Sequence, residues 1–208
     1  MKNHFINIIF LFVITASANA QMLAKQELYI GATGGVAIAK VGFSPKIHQG
    51  FVTGINAGGA FRYVTEKHFG MQLELNISQM GWKEDSTAFS KRLTYFELPF
   101  MTHIYFGQKT RIFVNLGPQI GLLLHEQADA PPEKNVEMQH TTPLQRKFDY
   151  GFVVGLGLCV PVKHNAIQIE IRGLYGMNDI YSNKKEDLYQ RSNNMQAAVS
   201  LGWYFRVK

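Results

Sequence analysis

The chain has 208 residues, of which 46% are hydrophobic and only 17% charged, with a formal net charge of +6. Soluble domains carry roughly 25% charged residues, and a disordered chain needs low hydrophobicity with high net charge, so disorder is excluded. A mean hydropathy of -0.08 is too polar for a bundle of membrane helices. The single cysteine, Cys159, supplies neither an intrachain disulfide nor a zinc cluster.

Lys2 precedes an apolar run from Phe5 to Ala16, and Ala18-Asn19-Ala20 follows. Small residues after a short apolar run are the signature of a secretory signal peptide. Residues 1–20 are therefore expected to be removed before Gln21, leaving one exported domain over 21–208. The run is shorter than the roughly 20 apolar residues of a membrane helix. No cysteine follows the cut to carry a lipid anchor.

Beyond Gln21 the dominant signal is alternation with period two, which marks a strand with two unlike faces. It predicts eight strands, at 27–40, 51–63, 70–82, 92–106, 110–125, 148–162, 166–177 and 194–207. In the third, Met71, Leu73, Leu75 and Ile77 alternate with Gln72, Glu74, Asn76 and Ser78. In the seventh, Ile167, Ile169 and Ile171 alternate with Gln168, Glu170 and Arg172. In the eighth, Met195, Ala197, Val199, Leu201, Trp203, Phe205 and Val207 form an unbroken apolar phase. Each run exceeds the roughly 9–11 residues that a tilted strand needs to cross a bilayer. The connections alternate between short and long, the pattern of an outer-membrane barrel with short periplasmic turns.

The phases also say which face meets lipid. The polar phase holds many glycines, among them Gly31, Gly58, Gly117, Gly155 and Gly202, together with mid-strand Arg62, Glu74, Glu97, Glu170 and Arg172. Small residues suit the crowded interior of an eight-stranded barrel. An Arg facing lipid at the midplane would cost roughly 2–4 kcal/mol. A soluble ligand-binding barrel would show the opposite arrangement. The expected fold is thus all-β: an eight-stranded, antiparallel, up-and-down transmembrane β-barrel in the outer membrane of a Gram-negative cell.

Four segments carry a family resemblance. Thr94-Tyr95-Phe96-Glu97-Leu98-Pro99-Phe100 resembles the "YLEIPLL" strand of the outer-membrane β-barrel family common in Bacteroidetes, called porin-family or PorT-like. Ile112-Phe113-Val114-Asn115-Leu116-Gly117-Pro118 is similar to its "PYIGAGP" strand. Phe148 to Gly157 resembles "FDxGxxxGxG", and Ile171 to Gly176 resembles "xRYxxGL", with Gly173 in place of the usual aromatic. The resemblance implies an OmpA/OmpX-like eight-stranded barrel and no single activity. One branch of the family resembles components of type IX protein secretion.

Arg62, Glu74, Glu97, Glu170 and Arg172 are expected to form an internal ion-pair network that plugs the lumen, because unpaired charges are costly there. The alternative for them is an ion path or gate. Trp82, Tyr95, Tyr105, Tyr175, Tyr181 and Trp203 lie toward strand ends, where an aromatic girdle sits. His103 points inward near the periplasmic end, and Cys159 reads as a small core residue. His125 and His140 lie near Glu126 and Asp129; a solvated loop is expected there rather than a metal or hydrolytic site. No nucleophile elbow, P-loop, Rossmann fingerprint or HExxH motif is present. Gly31-Ala32-Thr33-Gly34-Gly35 lies within a strand, so it does not cradle phosphate. No catalytic residue, cofactor or metal is expected.

Basic residues are scattered rather than clustered, which argues against nucleic acid. Lys83, Lys91, Arg92, Arg146, Lys147, Lys184, Lys185 and Arg191 flank the presumed outer rim, suited to phosphorylated outer-leaflet glycolipid. The expected partners are outer-membrane lipid and lipopolysaccharide, the barrel assembly machinery during biogenesis, and a protein partner through loops 126–147 and 178–193. The expected role is structural or interaction-based within the envelope. The alternatives are an accessory barrel in secretion, a narrow passive pore, or an outer-membrane lipid-modifying enzyme.

Overall fold

A computed structural model describes residues 22–84, 89–129, 143–181 and 190–207. The proposed signal peptide lies outside the described residues. The strands are β1 (Met22–Ser44), β2 (Val52–Glu66), β3 (Phe69–Glu84), β4 (Ser90–Phe106), β5 (Arg111–Asp129), β6 (Phe148–Val162), β7 (Asn165–Asp179) and β8 (Arg191–Arg206). Each pairs antiparallel with the next in sequence, and β8 pairs with β1 from Tyr29↔Arg206 to Ser44↔Arg191. The sheet therefore closes, leaving no edge for lipid to face. A two-residue ladder, Gln49–Gly50, adds to the end of β3 at Lys83 and Glu84.

Seven of these strands begin or end away from the expected bounds, mostly at the long-loop end. Pairing continues to Ser44 on β1, and Ser90 of β4 still faces Asp129 of β5. Most of these extensions carry polar side chains on both faces, and on β1 Val41 and Phe43 put the apolar phase inside instead, so the period-two signal fades before the backbone ladder does. At the other end the connections are tight. Gly107 (φ 104°) takes a left-handed conformation after β4, and Lys163 (φ 53°) does so between β6 and β7.

Alternation sorts the side chains into two environments. Ile38, Ile55, Leu75, Phe100, Ile120, Val154, Ile171 and Leu201 lie on the outer face and are exposed. Asn56, Arg62, Gln72, Glu74, Asn76, Glu97, Asn115, Gln168 and Glu170 are buried in the lumen. This is the inverse of a soluble barrel. Two apolar clusters close the lumen. One, at the long-loop end, includes Phe43, Trp82, Phe89, Leu93, Tyr95, Leu144 and Tyr181. The other, at the short-turn end, includes Tyr29, Val64, Tyr105, Phe113, Cys159 and Tyr204. Among the described residues no helix is long and apolar enough to cross a membrane.

Candidate functional site

Between the two clusters the lumen is polar. Arg172 on β7 reaches Glu74 on β3 through two hydrogen bonds, Nη1 to Oε2 at 2.6 Å and Nη2 to Oε1 at 2.8 Å. The same guanidinium donates to Glu170, two residues away on its own strand, from Nη2 at 2.8 Å and Nε at 3.3 Å. Planar guanidinium suits this forked geometry, which a lysine cannot reproduce. Asn76 Nδ2 donates to Glu74 at 2.8 Å, and Asn115 Nδ2 donates to Glu170 at 3.0 Å. His103 Nδ1 donates to Asn115 Oδ1 at 2.7 Å, and its ring packs on Tyr105 and Phe113. His103 is thereby an orienting group for the amide that holds Glu170. A catalytic histidine would instead face a nucleophile or a reacting proton.

Arg62 sits lower in the same network. Its Nε donates to Gln72 Oε1 at 2.7 Å, and its Nη2 donates to Gln168 Oε1. Gln72 in turn donates to Glu74, and Gln168 donates to the Tyr204 hydroxyl. Tyr204 also lies under the Arg62 guanidinium, 4.2 Å from ring centroid to Cζ. Arg62 is thus held by neutral acceptors and an aromatic face, one residue removed from the ion pairs. Glu97 is buried but makes no salt bridge with either arginine, and its Oε1 has no hydrogen-bond partner. Of the five expected network residues, Arg172, Glu74 and Glu170 form ion pairs, Arg62 joins through glutamines, and Glu97 stands apart.

The expected aromatic girdle needs correction. Tyr175 and Trp203 face outward, at opposite ends of the barrel. Trp82, Tyr95, Tyr105 and Tyr181 are buried inside and touch no lipid. The cause is phase: Trp82 is on the same side of β3 as Glu74, and Tyr95 on the same side of β4 as Glu97. Their rings fill the lumen ends; the three tyrosine hydroxyls find partners, as buried Tyr usually does, whereas the Trp82 indole N–H has none among the described residues. Tyr95 accepts from Asn194 at 3.2 Å, and Tyr181 accepts from Lys91 at 3.4 Å. The strand-end position of these rings had concealed that phase. Outward aromatics at strand ends are instead Phe51, Phe69, Phe106 and Phe148, beside Tyr175 and Trp203.

The rim is also partly redrawn. Lys83, Arg92, Arg146, Lys147 and Arg191 are exposed. Lys91 is not part of the rim: it is buried, with Nζ 3.4 Å from Glu126 and 5.9 Å from the Trp82 ring centroid. Glu126 Oε2 also accepts from the Leu144 backbone N–H at 3.0 Å. Lys91 therefore helps tie the returning end of the 130–147 loop down onto the barrel mouth. Lys184, Lys185 and His140 lie outside the described residues. Cys159 is buried, and His125 is exposed. Among the described residues no group of three or more His, Cys, Asp or Glu is placed to hold a metal ion.

The closed antiparallel sheet and the inverted faces are those of a membrane barrel, and one family accounts for them. The outer membrane protein beta-barrel domain matches residues 19–182. The chain belongs to this family. Among solved structures it is similar to the outer membrane protein OprG of Pseudomonas aeruginosa, with a TM-score of 0.51 at 10% identity, over 86% of this chain and 95% of that one. Neisserial surface protein A gives 0.48 at 12% identity, over 84% and 95%. The N-terminal β-barrel domain of Pseudomonas aeruginosa OprF gives 0.45 at 15% identity, over 89% and 100%. At such identities the likeness is one of fold. No protein of curated function matches the chain in sequence. This outer membrane β-barrel protein is a multi-pass barrel of a Gram-negative outer membrane, its short turns periplasmic and its long loops extracellular.

Proposed function

We propose that this barrel is a non-conducting envelope protein, structural in its wall and interactive at its extracellular rim. The observation that carries the reading is the Arg172–Glu74–Glu170 cluster, which spans the lumen between two apolar plugs. A water-filled path would have to cross all three layers. Exposed Lys83, Arg92, Arg146, Lys147 and Arg191 give the rim a cationic character suited to phosphorylated glycolipid, of which lipopolysaccharide is the outer-leaflet form.

Planar bilayers test the first part. Purified barrel should give no stable conductance steps; persistent single-channel steps would establish a narrow pore instead. For the rim, replacing Lys83, Arg92, Arg146 and Lys147 by Gln should weaken lipopolysaccharide binding and flatten its salt dependence, because exposed charges are screened by salt. Unchanged binding would refute the rim assignment. The PorT-like motifs around Glu97 and Arg172 support a narrower alternative, an accessory barrel in protein secretion. Accumulation of secretory cargo in the periplasm of a deletion strain would favour it.

A further inference from the structure

We propose that Glu97 and Asp149 hold a single calcium ion in the extracellular half of the lumen. Glu97 on β4, Gly121 on β5 and Asp149 on β6 are successive register partners across three strands. All three point inward, and the glycine leaves open the space that a side chain between the two acids would fill. They border one small cavity of about 10 Å³, with Tyr95, Gln119, Gly151 and Gly176 among its other walls. That volume holds about one water-sized sphere.

Both carboxylates are buried, Glu97 at 2% exposure and Asp149 at 7%. Each keeps one oxygen without a hydrogen-bond partner, Glu97 Oε1 and Asp149 Oδ1. Asn194 Nδ2 fixes Asp149 by donating to its other oxygen at 2.7 Å, and the Asn194 Oδ1 is itself buried and unpartnered. Buried carboxylate oxygens are normally satisfied, so two residues that each leave one unsatisfied and that border the same cavity point to a cation.

Charge gives an independent reason. Among the described residues between the two apolar plugs, Glu74, Glu97, Asp149 and Glu170 stand against Arg62 and Arg172. With all four carboxylates ionised the arginines offset two of them, and a divalent ion offsets the rest. The donors are all oxygen, with no His or Cys on the cavity wall, which disfavours zinc and copper. Calcium accepts irregular sets of carboxylate and carbonyl oxygens, whereas magnesium demands near-octahedral geometry and keeps its waters. A cavity of this size has no room for those waters.

The test uses full-length mature barrel refolded from urea into detergent, free of lipopolysaccharide, with calcium chloride, magnesium chloride or a chelator. After desalting, elemental analysis should find about one calcium per wild-type barrel. The thermal midpoint should rise by several degrees with calcium and not with magnesium, as a ligand of the folded state requires. Glu97→Gln and Asp149→Asn keep the shape and remove one charge each; both should lose the retained calcium and the shift. If one variant fails to refold, wild-type retention and the other variant still decide. Absence of retained calcium in the wild type would overturn the proposal. So would retention that persists in both variants, or an equal response to magnesium.

Discussion

Arg172 and Glu74 meet across the lumen through two N–H···O bonds of 2.6 and 2.8 Å, although 98 residues separate them in sequence. Strands β3 and β7 occupy opposite walls of the eight-stranded ring, so the pair is a strut across the barrel rather than a contact between neighbours. Removing one member leaves a buried charge without its partner, a loss of about 3–5 kcal/mol. Arg172→Ala is therefore expected to lower the unfolding free energy by an amount near the bottom of that range, since Gln72 and Asn76 still donate to Glu74. The double variant Arg172→Ala/Glu74→Ala should cost less than the sum of the two single variants, because each already breaks the same strut. Urea titration of the refolded barrel measures both. A cost for Arg172→Ala below about 1 kcal/mol, the scale of solvent-exposed pairs, would mean that water screens the strut.

Gly155 makes room for that strut. A Cβ built on it would lie 1.9 Å from Glu170 Oε1 and 2.9 Å from Glu170 Cδ. Gly155→Val should displace the Glu170 carboxylate from Arg172 and cost about 1–3 kcal/mol, as overpacking does. Gly173, on the outer face of the neighbouring strand, has nothing within 4 Å of a built Cβ. Gly173→Ala is expected to leave the urea midpoint unchanged, which separates lumen crowding from any general glycine effect.

At the periplasmic end Glu27 bridges Arg111 at 3.3 Å and Arg206 at 3.2 Å, joining β1 to the start of β5 and the end of β8. These groups are partly solvated, so their pairing is worth less than the mid-lumen strut. Glu27→Gln should cost at most about 1 kcal/mol, and the loss should shrink as salt is added. A cost equal to that of Arg172→Ala would place Glu27 in a drier environment than its exposure indicates.

The closed eight-stranded fold was legible in the sequence because lipid and lumen impose opposite polarity on alternate residues. Met71, Leu73 and Leu75 against Gln72, Glu74 and Asn76 is a complete statement of both faces. Inward Arg62, Glu74, Glu170 and Arg172 were legible for the same reason. What alternation cannot say is which inward residues share a depth, because depth depends on the stagger between strands. Arg172 meets Glu74 across the ring, whereas Glu97 and Asp149 flank Gly121 and border one cavity. Asn115, Gln72 and Gln168 gave no chemical signal as isolated amides. Trp82 and Tyr95 misled in a different way. Their strand-end position suggested the bilayer interface, while their phase, shared with Glu74 and Glu97, put them inside.

The two tryptophans turn that last distinction into a measurement. The chain has only Trp82 and Trp203. Trp82 is 0% exposed, with Phe43 at 5.3 Å and Tyr181 at 6.2 Å between ring centroids. Trp203 is 51% exposed on the outer wall, stacked at 6.1 Å on Phe205. In vesicles of brominated lipid, acyl-chain bromine quenches only rings that it can touch. Trp82→Phe, which leaves Trp203, should therefore be strongly quenched, and Trp203→Phe, which leaves Trp82, should emit nearly as it does in unbrominated lipid. Equal quenching of the two variants would put Trp82 on the lipid face and remove the extracellular plug from the barrel.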